Sequence, residues 1–246
     1  MSASIAVLKA EGRLFRREPG SVFWILAFPL LLLVILGLVP SFREAGSASG
    51  GARPIDLYLP VAVLLGMILS GLNSLPPTLT GYREKGILRR MSTTPVRPAA
   101  ILAAQVLVHG AAALAGGIVV IATGRVLYGV ALPANLLAYA LTLILAMLGA
   151  LVCGGLIAAV SRTAKGATSA ATIIFFPVAF TAGMYVPVQS MPQALQSVVE
   201  LTPFGAASQA LHQASAGNWP ALPHFAIMLV WITVLAGASI RWFRWE

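Results

Sequence analysis

The groups in this chain that could do covalent chemistry are few and poorly spaced for it. Its histidines are His109, His212 and His224, and their separations match no metal-ligand pattern. Ser70, Ser74 and His109 are too scattered to argue a nucleophile–base pair, and no carboxylate is placed to orient the imidazole. Cys153 is the single cysteine and lies mid-way through an apolar run, which excludes an intramolecular disulfide and suggests a buried structural thiol. A phosphate-cradling G-x-x-x-x-G-K-[ST] loop is absent from the sequence. No active site emerges from these residues. Gln105 and His109 stand out instead, as polar groups inside an apolar stretch where they could line a path.

The elements that would carry them are unusually plain. Six runs contain no Asp, Glu, Lys or Arg: 19–42, 57–82, 98–124, 126–161, 166–199 and 201–240. The shortest is 24 residues, and roughly 20 apolar residues cross the hydrocarbon core of a bilayer. Only 9% of residues are charged while 59% are hydrophobic, too few charges to cover the exposed faces of a soluble domain. The expected fold is an all-α membrane protein with six transmembrane helices, over about 21–40, 56–80, 99–124, 134–160, 167–186 and 222–243. Small-residue stripes at Gly66, Ser70 and Ser74 and at Ala146, Ala150 and Gly154 would let helices approach closely. The longest connection outside the runs, 83–97, leaves no room for a separate aqueous domain. The chain therefore divides into an N-terminal amphipathic segment, 1–18, and one transmembrane domain, 19–246.

Charge gives an orientation and removes some mechanisms. With the N-terminus inside, 13 of the 16 Lys and Arg residues fall on the cytoplasmic side, leaving Arg43, Arg53 and Arg125 outside. Both termini are then cytoplasmic. The net charge of +9 is split among short loops, which fits anionic lipid headgroups better than nucleic acid. Ion-driven carriers place carboxylates within their spans, whereas here Asp56 sits at an outer helix end and Glu200 in an outer hairpin. Energy for active transport would have to come from another protein.

Residues 1–18 suit a helix lying in the interface, with Lys9, Arg13, Arg16 and Arg17 on one side and Ile5, Val7, Leu8, Leu14 and Phe15 on the other. Glu11 interrupts the apolar arc. Between 187 and 221, Pro187, Pro192, Pro203 and Pro220 cut the chain into pieces too short to span. Two short helices dipping into or lying on the outer leaflet are expected there. Arg241, Trp242, Phe243, Arg244 and Trp245 read as an interfacial anchor.

The segment Tyr82-Arg83-Glu84-Lys85-Gly86-Ile87-Leu88-Arg89-Arg90-Met91-Ser92-Thr93-Thr94-Pro95 resembles the first cytoplasmic loop of the ABC-2 family of ATP-binding-cassette exporter permeases. Arg83, Glu84, Gly86, Leu88, Thr94 and Pro95 match that family's R-E-x-G-T-L-E-x-L-x-x-T-P pattern. Ile87 replaces its Thr, and Arg89 replaces its acidic residue. Phe176-Pro177, Ala182 to Pro187 with Gly183, and Met191-Pro192 resemble the family's fifth span and outer re-entrant helical hairpin before the last span. Leu201-Thr202-Pro203-Phe204 and Ala210-Leu211 resemble the stretch that follows.

The resemblance implies a cytoplasmic coupling helix at about 83–92, docking an ATPase subunit through Arg83, Glu84, Gly86, Leu88, Arg89, Thr94 and Pro95. A projecting helix there is also a physical lever on the spans either side of it. The chain would need no cofactor of its own, since ATP and Mg would sit in the partner. It would pair with a second copy or a homologous permease, and sit in a bacterial cytoplasmic membrane. Few polar residues lie in the spans, which favours an amphiphilic or hydrophobic drug- or antibiotic-like cargo. Export of lipid or polysaccharide, and a stand-alone carrier or channel, are the alternatives.

Overall fold

The structure, a computed structural model, describes residues 3–45, 52–87 and 98–242. Among them there is no β-strand, and six helices are long and apolar enough to cross a membrane. They run Pro19–Leu38, Pro54–Glu84, Pro98–Tyr128, Leu136–Val160, Ala164–Thr181 and Leu222–Trp242, and are numbered here as spans 1 to 6. An N-terminal helix, Ala3–Arg16, precedes span 1. Because the spans alternate in direction, one end of the bundle gathers this helix, the end of span 2, the start of span 3 and the end of span 4. The opposite end gathers Arg53, Tyr128, Thr181 and the segment 182–221.

Span 2 is the centre of the bundle. Of its most apolar window 83% is buried, against 11% for span 6 and 17% for span 5. Ile55 and the unbroken stretch from Leu59 to Leu72 are enclosed, and apart from Ser70 that stretch is apolar all round, with no polar stripe to turn outward. Its 31 residues amount to roughly 46 Å of helix against a hydrocarbon core of about 30 Å. Span 2 therefore carries Tyr82, Arg83 and Glu84 beyond the apolar layer on one continuous helix.

Two helical spans widen into π turns, at Phe23–Ala27 in span 1 and Ser70–Ser74 in span 2. Each lies just before proline, Pro29 in the first case and Pro76-Pro77 in the second. Proline has no N–H for the carbonyl four residues back and its ring crowds that carbonyl, so the turn opens. The carbonyl of Ile25, four residues before Pro29, is where two neighbouring helices come close: a methyl group at Gly116 would reach 3.0 Å from it, and one at Gly66 3.4 Å.

The π turn also sets which small residues meet. Gly71 and Gly154 face each other backbone to backbone, and an added methyl at either would overlap a carbonyl oxygen, of Ala150 or Gly71 respectively. The span 4 stripe is thus used as expected, but its counterpart in span 2 is Gly71. Gly66 turns toward span 1, and the Ser70 hydroxyl donates to the His109 carbonyl of span 3 at 3.0 Å. The extra residue of the π turn shifts the face by about one position, which a regular helical wheel misses.

At the opposite end, span 5 stops at Thr181, short of the expected 186. Gly183 takes φ 87° and lets the Met184 N–H reach back to the Ala179 carbonyl at 3.0 Å, closing the helix. Two short helices follow, Gln193–Val199 and Pro203–Ser215. The Thr202 hydroxyl caps the second by accepting the Gly205 N–H at 3.1 Å. That second helix is buried continuously from Phe204 to Leu211 and packs against spans 2, 4 and 6, so protein surrounds it far more than a surface-lying helix. Arg53 closes the same end by pairing with Asp56 at 2.7 Å and donating to the Tyr128 carbonyl at 3.1 Å.

The Gly71–Gly154 contact has a direct test. Gly154→Ala should lower stability by about 1–3 kcal/mol through overpacking, read as a fall in melting temperature in mild detergent. Gly237→Ala, where a methyl meets nothing within 4 Å, should not lower the melting temperature, since alanine is the better helix former.

Candidate functional site

The motif that follows span 2 begins as part of that helix. Arg83 and Glu84 occupy its last turn, and Gly86, with φ 64°, ends it as the Lys85 N–H bonds the Gly81 carbonyl at 3.1 Å and the Gly86 N–H bonds the Arg83 carbonyl at 2.9 Å. Residues 83 and 84 of the helix expected at 83–92 thus belong to span 2, and the break falls at Lys85-Gly86, because only a glycine takes that left-handed backbone readily; residues 88–92 of the expected helix lie outside the described residues. Leu88, Arg89, Thr94 and Pro95 lie outside the described residues.

Arg83 turns inward. Its Nη2 donates to the Ala158 carbonyl at 2.9 Å and to the Ser161 carbonyl. The Ala158 carbonyl is among the last four of span 4, at the negative end of the helix dipole, and Ser161 is the extended residue that follows the helix. The guanidinium thus ties the ends of spans 2 and 4 together, while Glu84 is exposed beside it. Arg162, the end of span 4 and Trp242 of span 6 border the cleft alongside.

One turn back, Tyr82 makes the second tie. Its hydroxyl donates to Glu11 Oε2 at 2.7 Å, and Gln105 Nε2 of span 3 donates to the same oxygen at 2.7 Å. Glu11 is only 8% exposed, so the N-terminal helix presents a buried carboxylate to two spans. Four residues on, Phe15 meets the His109 ring edge to face, with centroids 5.4 Å apart. His109 Nδ1 lies 3.0 Å from its own helix's Gln105 carbonyl, and its Nε2 is buried without a partner. Gln105 and His109, expected to line a path, are packed in this junction at 3% and 1% exposure.

Glu11 is the residue the sequence reading missed. It stands in the sequence as an acid breaking an apolar arc, and its helix packs on span 3 of the chain itself. Burial holds its carboxyl above the ordinary carboxylate range, and the hydrogen bond from Tyr82 opposes this only in part.

A second polar cluster occupies the opposite end. Gln209 Nε2 donates to Glu200 Oε1 at 2.6 Å, Gln189 Nε2 donates to Gln209 Oε1 at 3.1 Å, and His224 Nε2 stands 3.9 Å from Glu200 Oε2. Of the residues expected to shape a hairpin here, Gly183 and Pro187 are buried, Pro203 starts the enclosed helix and Pro192 is exposed. Span 6 meets this cluster through His224 and through Trp231, whose Nε1 donates to the Leu201 carbonyl at 2.9 Å.

A central buried span, an amphipathic helix locked to it and six helices long and apolar enough to cross a membrane define a multi-pass helical membrane protein. A family model of the ABC-2 type transporter matches residues 3–214. The chain belongs to that family, and so is the membrane domain of an ABC permease, whose kind works with an ABC ATPase. No curated protein matches it at a significant level.

The Glu11 junction predicts a pH effect. Its carboxyl binds a proton more tightly folded than unfolded, so its contribution to stability is fullest below the unfolded value of 4.5 and is lost as pH rises through the higher folded value. The melting temperature of wild type minus that of Glu11→Gln should therefore fall with rising pH across that window and then level. A difference that grows with pH would mean that the carboxylate is held charged.

Proposed function

We propose that this chain is one of two permeases in an exporter that moves amphiphilic or hydrophobic small molecules, of drug or antibiotic type, out of a bacterial cell. A second copy or a homologous permease completes the path. A separate ATPase subunit binds ATP and Mg and docks on the segment that follows span 2. The protein sits in the cytoplasmic membrane with both termini inside, the orientation that keeps 13 of 16 basic residues on that side.

The observation that carries this reading is the continuity of span 2 from the bundle centre to Arg83 and Glu84. A displacement applied at Glu84 or Gly86 acts on a helix tied to span 4 by Arg83 and to the N-terminal helix and span 3 by Tyr82. Three spans and the N-terminal helix then move together, which suits an opening between permeases better than a local gate. ATP binding would draw the two ATPase subunits together, and the coupled segments would follow. The second short helix, with its eight consecutive buried residues from Phe204 to Leu211, would act as the outer re-entrant element moved by spans 2, 4 and 6.

Reconstituted with its ATPase subunit in liposomes, the protein should clear an amphiphilic fluorescent dye on addition of ATP and Mg. Gly86→Ala, which costs about 1 kcal/mol or more at a left-handed position, and Glu84→Gln should retain ATP hydrolysis but lose most dye movement per ATP. Unchanged dye movement per ATP in both variants would defeat the proposal.

A further inference from the structure

The N-terminal helix does not close fully onto span 3. A groove of about 530 Å³ runs between them. Its floor is apolar, from Leu8 on the helix and Leu107 and Ala111 on span 3, and Lys9, Arg13 and Arg16 form its rim. Among the described residues no carboxylate lines it: Glu11 is turned to the helix's other face, against Tyr82 and Gln105. Gly12 opens the middle, where an added methyl would meet nothing within 4 Å.

Depth decides what such a groove faces. Leu107 stands roughly 14 Å along span 3 from Pro98. Span 3 is 31 residues long, roughly 46 Å, and so overhangs a core of about 30 Å at its ends. The apolar floor therefore lies just inside the hydrocarbon, and the long side chains of Lys9, Arg13 and Arg16 reach from its edge toward the headgroup level. An apolar slot beneath three basic side chains is complementary to one kind of molecule in that layer.

We propose that this groove is a binding site for an anionic glycerophospholipid, with its phosphate against Arg13 and Arg16 and an acyl chain along Leu107 and Ala111. The lipid would wedge the N-terminal helix against span 3 and so hold Glu11 on Tyr82. The inference rests on the chain spanning a membrane and is independent of what the transporter exports.

The purified full chain in mild detergent would be titrated with phosphatidylglycerol and with phosphatidylcholine of the same acyl chains, and bound lipid counted by native mass spectrometry. One phosphatidylglycerol per chain should be retained in preference to phosphatidylcholine, and inorganic phosphate should not displace it. Arg13→Gln with Arg16→Gln should weaken it on the order of tenfold or more, each basic group near a membrane surface contributing appreciably. Gly12→Leu, which fills the slot, should weaken it with the melting temperature unchanged, whereas Arg125→Gln at the opposite end should not. Equal binding of the two lipids would overturn the site, as would wild-type affinity in the arginine double variant. Displacement by phosphate, or full affinity in a folded Gly12→Leu protein, would overturn the acyl-chain groove.

Discussion

The bundle depends on one close approach, that of span 2 to span 4 at Gly71 and Gly154. In lipid the tails are as apolar as the side chains, so helices associate through close packing and a few hydrogen bonds. Glycine on both sides lets the backbones touch, with Ala150 in the same contact. Everything else is arranged round span 2: span 1 crosses it near Gly66, span 3 bonds it through Ser70, and the enclosed short helix packs on its far half. A helix held on all sides is poorly placed to bend alone. It is well placed to move as a rod with its neighbours.

That geometry gives the two polar ties at the end of span 2 their meaning. Tyr82 and Arg83 are adjacent in sequence but point to different partners, one to the N-terminal helix and span 3, the other to the terminal carbonyls of span 4. The Arg83 tie is a charge-assisted hydrogen bond, and the Glu11 tie is buried, which makes either costly to break. The result is a cluster of helix ends tied to one another through Tyr82 and Arg83. The Glu200, Gln209 and Gln189 cluster at the opposite end knits the short helices in a similar way.

The spans were legible in the sequence because the membrane excludes charge so strongly that six uncharged runs mark them directly. Their ends were less so. Span 2 runs on through Arg83 and Glu84 since Arg83 finds carbonyl partners, and a charged residue need not end a helix when protein receives it. Span 5 stops early because Gly183 supplies a left-handed turn, a property of one residue that hydropathy does not register. Glu11 was seen and its partner was not, since an acid on an apolar arc reveals its target only once Tyr82 and Gln105 are beside it. Gly71 was hidden by the π turn, which moves the contact face away from the regular small-residue stripe. The matched motif was legible as a pattern, and its physical content, the helix-ending Gly86 and the inward Arg83, came from the backbone and its carbonyls.

The central claim is that force enters this chain from an ATPase subunit at the end of span 2. A Cys153→Ser protein carrying Glu84→Cys, purified gently from its native host and treated with a short thiol-reactive crosslinker, tests it most directly. The account predicts a nucleotide-binding subunit recovered in equal amounts and joined to residue 84, with a yield that changes on adding ATP. A partner-free protein that moves cargo in liposomes on an ion gradient alone would contradict it.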